Sequence, residues 1–380
     1  MRYPEFLKEG GTIGFVAPAF GCSREPYMTA FKKAVSVFEE LGYKTVLGPN
    51  CFEDKGLGIS NTPKLCAKEL EDMYLDPAAD VLISCGGGEL MCTILPYLDF
   101  ERIRAAKPKW FMGFSDNTNF TFLQATLCDT AAVYGQNAAS FGGLPGYLAA
   151  KKAAEGESIG SAVDAVAKPG IDEPSGATIS ADGEGYWQGS VKDSFDFLRG
   201  KKTSFEGYPM WEREGFDHED GTYPLYNLTE KRVLKSNCEA AEFEGRVVGG
   251  CLDCLANLVG TCFDGMKEFS KRYESDGVIF FFESCDLDPL GVYRALWQLK
   301  NAGWFEHTKT FLVGRPMHYG EEVFGFGMDR AVLEVLGDLN VPIIMDLDIG
   351  HLPPRIPMVT GAYAKVKYKG QSFEISYDLK

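Results

Sequence analysis

Trp110-Phe111-Met112-Gly113-Phe114-Ser115-Asp116-Asn117-Thr118 runs from an apolar strand through a glycine to a serine and three capping-type residues, and an amphipathic helix over Asn119 to Leu127 follows. That order predicts Ser115 on a tight strand-to-helix turn, its hydroxyl exposed above the free N–H groups of the helix start. Two readings stand. A nucleophile wants this geometry, because the first helical N–H groups can also stabilise an oxyanion. Ser115, Asp116 and Asn117 are also the residue types that cap helices, and the run is G-x-S-D-N instead of the stricter G-x-S-x-G.

Working outward, short apolar runs alternate with helical periodicity from Thr12 to about Tyr134. Strands are expected at Thr12–Ala17, Thr45–Leu47, Val81–Ser84 and Lys109–Met112, and helices at Tyr27–Leu41 and Lys64–Leu75. The alternation predicts an α/β unit with a largely parallel sheet, so the loops after Ala17, Ser84 and Met112 are where chemistry is expected. Between about Gly142 and Gly189 the composition shifts to Ala, Gly, Ser, Pro and Lys, which reads as a linker or surface excursion. An aromatic and acidic stretch, Tyr186 to Tyr226, comes next, with Trp187, Trp211 and the run Phe216 to Asp220. A second α/β or α+β region begins near Gly245: strands at Val278–Phe282, Thr310–Val313 and Pro342–Met345, helices at Leu290–Asn301 and Asp329–Leu336, and an alternating β tail from Ala362 to Tyr377.

Length and composition bound the function. The 380 residues exceed what one ordinary core organises, and 45% apolar with 13% aromatic residues excludes a disordered or fibrous chain. Lysines and arginines number 38 against 54 acidic residues, a net −16 that repels phosphate backbones and anionic lipid. Eleven scattered cysteines fit a reducing compartment. Cys251 and Cys254 form one C-x-x-C, but without a second pair or a nearby His it lacks the four ligands of structural zinc. No N-terminal apolar stretch and no run of roughly 20 apolar residues occurs. A cytoplasmic protein is expected, with no metal, no cofactor, and no nucleic-acid or membrane partner.

Three glycines, Gly86-Gly87-Gly88, follow the strand Val81–Ser84. They can form a sharp turn, cradle a phosphate, or complete an oxyanion hole, since they let backbone approach a ligand and expose successive N–H groups. A serine nucleophile also needs a base, and the histidines are His218, His307, His318 and His351. His218 and His307 fall in solvated contexts; His318 and His351 each follow a predicted buried strand and are near equals on spacing. Glu283 ends the apolar run from Gly277, where a buried carboxylate is costly unless paired; an exposed strand end is the other reading.

These signals resemble one family. Gly10 to Pro18, the glycine loop continuing to Phe100, Lys109 to Thr118, Val248 to Leu252, Gly260-Thr261, Val278 to Glu283 and Ile349-Gly350-His351 resemble the LD-carboxypeptidase family of serine peptidases, which includes microcin C immunity proteins. The resemblance implies a triad of Ser115, Glu283 and His351, and so favours His351 over His318. It implies oxyanion donors in the N–H groups of Gly87 and Asp116, with Gly86 as an alternative to Gly87. Where the family often has Asn after the Gly-Gly pair, this chain has Cys251. Trp187 or Trp211 would be substrate-contacting aromatics by the same resemblance, with core packing as the alternative for each.

The fold expected is an N-terminal flavodoxin-like parallel-sheet domain (1–145), a linker or insertion (146–240) and a C-terminal β-rich α/β domain (241–380), with the site at their interface. The implied function is amide hydrolysis, either release of D-Ala from a murein tetrapeptide or cleavage of a peptidyl or aminoacyl nucleotide. A homodimer is the expected assembly. A non-catalytic ligand-binding protein on the same sheet is the rival; a nicotinamide oxidoreductase is weaker, since no G-x-G-x-x-G follows the first strand.

Overall fold

A computed structural model describes residues 1–56, 58–142, 187, 189–213 and 228–380. His218, the run Phe216 to Asp220 and most of the segment read as a linker lie outside the described residues.

The first sheet runs, in spatial order, Met358–Thr360, Ala132–Tyr134, Trp110–Gly113, Val81–Ser84, Thr12–Val16 and Lys44–Leu47. The five N-terminal strands are parallel, in the doubly wound order 2-1-3-4-5 of flavodoxin-like sheets. The strand Met358–Thr360 returns from late in the chain and pairs antiparallel with Ala132–Tyr134. The helix Tyr27–Glu40 covers one face through Ala30, Phe31, Ala34, Val37 and Phe38, its apolar stripe at helical spacing.

The second sheet is mixed. Its centre is four parallel strands, Ala240–Cys251, Val278–Glu283, Thr308–Gly314 and Ile343–Leu347. The alternating tail forms the hairpin Tyr363–Lys369 with Ser372–Asp378, antiparallel to Ala240–Cys251 and buried on every second residue. Short edge strands, Ser204–Phe205 and Lys235–Ser236, come from the stretch read as insertion.

The helix expected as amphipathic, Thr118–Thr126, is buried on every residue. It packs between the first sheet and the strand Ala240–Cys251. Some of its polar side chains are buried against main-chain acceptors: Gln124 donates to the carbonyls of Lys109 and Ala131, and Thr126 to that of Phe122. Gly250 permits this approach, since a Cβ there would lie 2.5 Å from Thr118 Cγ2. The Thr118 hydroxyl then accepts the Cys251 N–H at 2.9 Å. Both large apolar clusters draw side chains from the two sheets, one joining Phe15 and Met112 to Phe281, the other Phe111 and Phe120 to Phe280. The strand Val278–Glu283 is thereby held against the first sheet, with Phe281 packed on Tyr134 at 5.6 Å.

Trp187 belongs to this interior. It is 7% exposed, donates Nε1–H to the Phe141 carbonyl at 2.7 Å, and packs against Phe38, Phe141 and Phe195. The substrate-stacking expectation for Trp187 is therefore corrected to core packing, because its faces are occupied by protein. Among the described residues no helix is long and apolar enough to cross a membrane.

Candidate active site

Ser115 opens a single 3-10 turn, Ser115–Asn117, directly after the strand Trp110–Gly113 and Phe114. Its φ is +65°, a left-handed conformation that costs a non-glycine residue energy and is found at functional turns. The capping alternative fails here, because neither this turn nor the helix after it has a side-chain cap bond. Asp116 instead turns inward, its carboxylate accepting the Met91 N–H at 2.7 Å and the Asn119 amide at 2.9 Å. Burial pushes that carboxyl up to about 6, against the lowering effect of the Met91 bond. Asn117 donates to the Gly86 carbonyl at 2.7 Å and the Phe114 carbonyl at 3.1 Å, stapling the serine turn to the glycine loop.

The loop is held close as a result. A Cβ on Gly87 would lie 3.2 Å from Ser115 Oγ, so only a glycine passes there without crowding the hydroxyl. Gly86 contributes its carbonyl, which also accepts from Ser84 Oγ at 3.0 Å.

Glu283 and His351 reach the same point from the second sheet. His351 Nε2 lies 2.8 Å from Ser115 Oγ, and its Nδ1 lies 2.8 Å from Glu283 Oε2. A carboxylate only accepts, so Nδ1 carries the hydrogen and Nε2 is left to accept the serine proton. Glu283 is 1% exposed. Burial drives its carboxyl upward, but the His351 charge and the hydrogen bonds from His351, Tyr134 and Cys251 outweigh burial and hold it below the usual range. His351 packs edge-on against Phe114 at 5.2 Å, and Arg355 donates to the main-chain carbonyls of Gly350 and His351. Such an arrangement can draw a proton from a serine hydroxyl and stabilise the resulting imidazolium.

Each of these regions has relatives. Residues 13–135 match the LD-carboxypeptidase N-terminal domain and residues 244–366 the LD-carboxypeptidase C-terminal domain, together well over half of the chain. The chain belongs to the LD-carboxypeptidase family. It is 24% identical to the microcin C7 self-immunity protein MccF of Escherichia coli, over 97% of this chain and 94% of that one. To the "Probable murein peptide carboxypeptidase" of Bacillus subtilis it is 23% identical, over 95% and 90%. A solved structure of MccF in complex with glutamyl sulfamoyl guanosine shares the fold, with a TM-score of 0.71 at 19% identity over 99% of this chain and 98% of that one.

Other candidate side chains have partners of their own. His318 pairs with Glu321 at 2.6 Å on a surface turn, and His307 lies 4.0 Å from Glu274. Trp211 is 5% exposed and lies under the Arg315 guanidinium, 5.0 Å from its ring centre, with its Nε1–H on the Lys231 carbonyl. The Cys251 and Cys254 thiols sit behind the site. Hydrogen bonding between them and burial push Cys251 well up; for Cys254 the hydrogen bond to Cys251 lowers the thiol, but burial and the carboxylates of Asp116, Asp253 and Glu283 together outweigh it and push it to about 11. Both shifts favour the neutral thiol. Among the described residues no three His, Cys, Asp or Glu side chains are grouped so as to hold a metal.

Sequence reasoning passed over Tyr134, Asn137 and Arg355. Asn137 accepts the Phe114 N–H at 3.2 Å, and the Arg355 guanidinium stacks over the Phe114 ring at 4.0 Å. Arg355 stands in Pro353-Pro354-Arg355-Ile356-Pro357, four residues past His351, and a cation in so proline-rich a run was the one available signal.

Proposed function

We propose that the protein is a serine hydrolase that cleaves an amide bond with Ser115, His351 and Glu283. The observation that carries this reading is the continuous pair of 2.8 Å contacts from Ser115 Oγ through the imidazole to Glu283. Ser115 Oγ attacks the carbonyl carbon as His351 takes its proton, and Glu283 stabilises the imidazolium. The carbonyl oxygen becomes an oxyanion held by the N–H groups of Gly87 and Asp116; the latter lies in the first turn, where N–H groups lack intrahelical partners. His351 then protonates the leaving nitrogen as the C–N bond breaks. Water, deprotonated by His351, releases the acyl group and restores Ser115.

The substrate proposed is a murein tetrapeptide, cut between its L-centre and the terminal D-Ala, supported by family membership and the murein peptide carboxypeptidase relative. A second reading, hydrolysis of peptidyl or aminoacyl nucleotides, is favoured by the similarity to MccF along nearly the whole chain. The reading includes a reducing cytoplasmic setting, supported by eleven free thiols, and a homodimer, to be tested by light scattering.

The test is incubation with murein tetrapeptide and, separately, with an aminoacyl-sulfamoyl nucleoside, with products identified by mass spectrometry. Release of D-Ala supports the first substrate, and release of the free amino acid the second. Ser115→Ala is expected to abolish turnover while unfolding at the wild-type temperature. Amidase activity retained in purified Ser115→Ala would refute the assignment. A non-catalytic binding protein would leave Ser115 unmodified by a fluorophosphonate.

A further inference from the structure

Tyr134 ends the strand Ala132–Tyr134 of the first sheet, beside the turn that carries Ser115. Its hydroxyl accepts the Ser115 main-chain N–H at 3.2 Å and donates to Glu283 Oε1 at 2.5 Å. Glu283 reaches His351 with its other oxygen, and His351 reaches the Ser115 hydroxyl. The contacts form a closed ring that leaves Ser115 by its main chain and returns to it by its side chain.

The direction of each bond follows from valence. The Ser115 N–H occupies a lone pair of the phenol oxygen, so its single hydrogen goes to the carboxylate. With Oε1 held by Tyr134, Oε2 is turned toward His351 Nδ1, and the plane of the carboxylate has no freedom left. Tyr134 is 2% exposed, with Phe114 and Phe281 packed against its ring, so water cannot replace the phenol.

We propose that Tyr134 is a positioning residue for the reaction proposed above: its hydroxyl locks the Glu283 carboxylate of one sheet to the Ser115 main chain of the other, keeping His351 in line with Ser115 Oγ. The inference rests on the Ser115–His351–Glu283 reading. A tyrosine that only filled space would affect stability and leave the pH dependence alone. A donor to Glu283 also holds charge on that carboxylate, and therefore sets the proton affinity of the coupled Glu283–His351 pair. The titratable groups facing Glu283 are His351, Tyr134 and the thiols of Cys251, Cys254 and Cys285, while Glu89 acts on His351 from the exposed side.

The experiment follows fluorophosphonate labelling of Ser115 against pH, a step in which the Oγ–P bond forms, fluoride leaves and His351 takes the proton. Full-length wild type, Tyr134→Phe, Ser115→Ala and protein carrying 3-fluorotyrosine at position 134 are compared. Tyr134→Phe is expected to slow labelling by about 10- to 100-fold, the scale of a lost hydrogen bond to a charged group, and to move the acid limb to higher pH. The fluorinated phenol keeps the hydroxyl and donates more strongly, so it restores the rate and moves the limb the opposite way. Equal rates and superimposed limbs in wild type and Tyr134→Phe would overturn the role of Tyr134 and leave the triad standing. Wild type that resists labelling, or Ser115→Ala that accepts it, would overturn the triad and the inference with it. If Tyr134→Phe does not fold, the fluorinated protein decides, and an unmoved limb refutes the proposal.

Discussion

Gly350 lies so close to Glu283 that a Cβ on it would come within 2.4 Å of Glu283 Cγ and 2.5 Å of Oε2. Its φ of +100° is also one that side-chain-bearing residues rarely adopt. The glycine before His351 therefore lets the carboxylate slide under the imidazole from the strand Val278–Glu283, two strands away in the sheet. Gly350→Ala is expected to cost about 1–3 kcal/mol through backbone strain, and to lower kcat/KM beyond any loss of folded protein. Thermal unfolding and kinetics on the same preparation check this; wild-type kcat/KM would show that Glu283 tolerates displacement.

Glu283→Gln keeps the shape of the side chain and removes its charge. The amide can present an N–H to Nδ1 and so favour the wrong imidazole tautomer, with a fall in kcat of about 10⁴-fold. Because the Glu283 carboxyl is held below its usual range, it also contributes stability above that range that is lost as pH falls through its folded value. Urea midpoints should therefore separate wild type from Glu283→Gln at neutral pH and converge in acid. A gap that widened in acid would contradict the downward shift.

Arg355 is fully buried and donates to the carbonyls of Gly350 and His351 and to Oε1 of Gln136. Lysine keeps the charge but not the planar fork. Arg355→Lys is expected to cost about 1–3 kcal/mol and to lower kcat by loosening the loop that holds His351. Unchanged kcat with lowered stability would confine Arg355 to folding.

Asp116 predicts the opposite pH slope from Glu283. Its carboxyl binds a proton up to about 6 when folded, against about 3.9 for an ordinary Asp, so the folded state holds more protons between those values. Stability contributed by this group is complete below about 4 and declines as pH rises to about 6, with no further loss above. The stability of wild type relative to Asp116→Asn, from urea midpoints, should fall across that window. A flat difference would mean that Asp116 titrates normally.

Much of the architecture was legible because its signals are short-ranged. The strands Thr12–Val16 and Val81–Ser84, the helix Tyr27–Glu40 and the turn at Ser115 are each written in consecutive residues, as apolar period, glycine and turn chemistry. The helix Thr118–Thr126 was read as amphipathic because its burial between two sheets is invisible to its own sequence.

Consecutive residues thus pointed to most of the elements, the serine turn, the glycine loop and the apolar strand ending in Glu283. They left His318 and His351 equal on spacing, gave no sign of Tyr134, and left Trp187 open between core and ligand. Phe38, Phe141 and Phe195, all on helices, placed Trp187 in the core, and the other two points were decided by the packing of one sheet on the other. Only there does His351, from a late loop, come within hydrogen-bond reach of Ser115 Oγ, and only there does Glu283 reach both His351 and the Tyr134 hydroxyl. The physical reason is range: propensity and periodicity act over a few residues, whereas a hydrogen bond across 236 positions exists only once apolar surfaces from both sheets have closed into common cores.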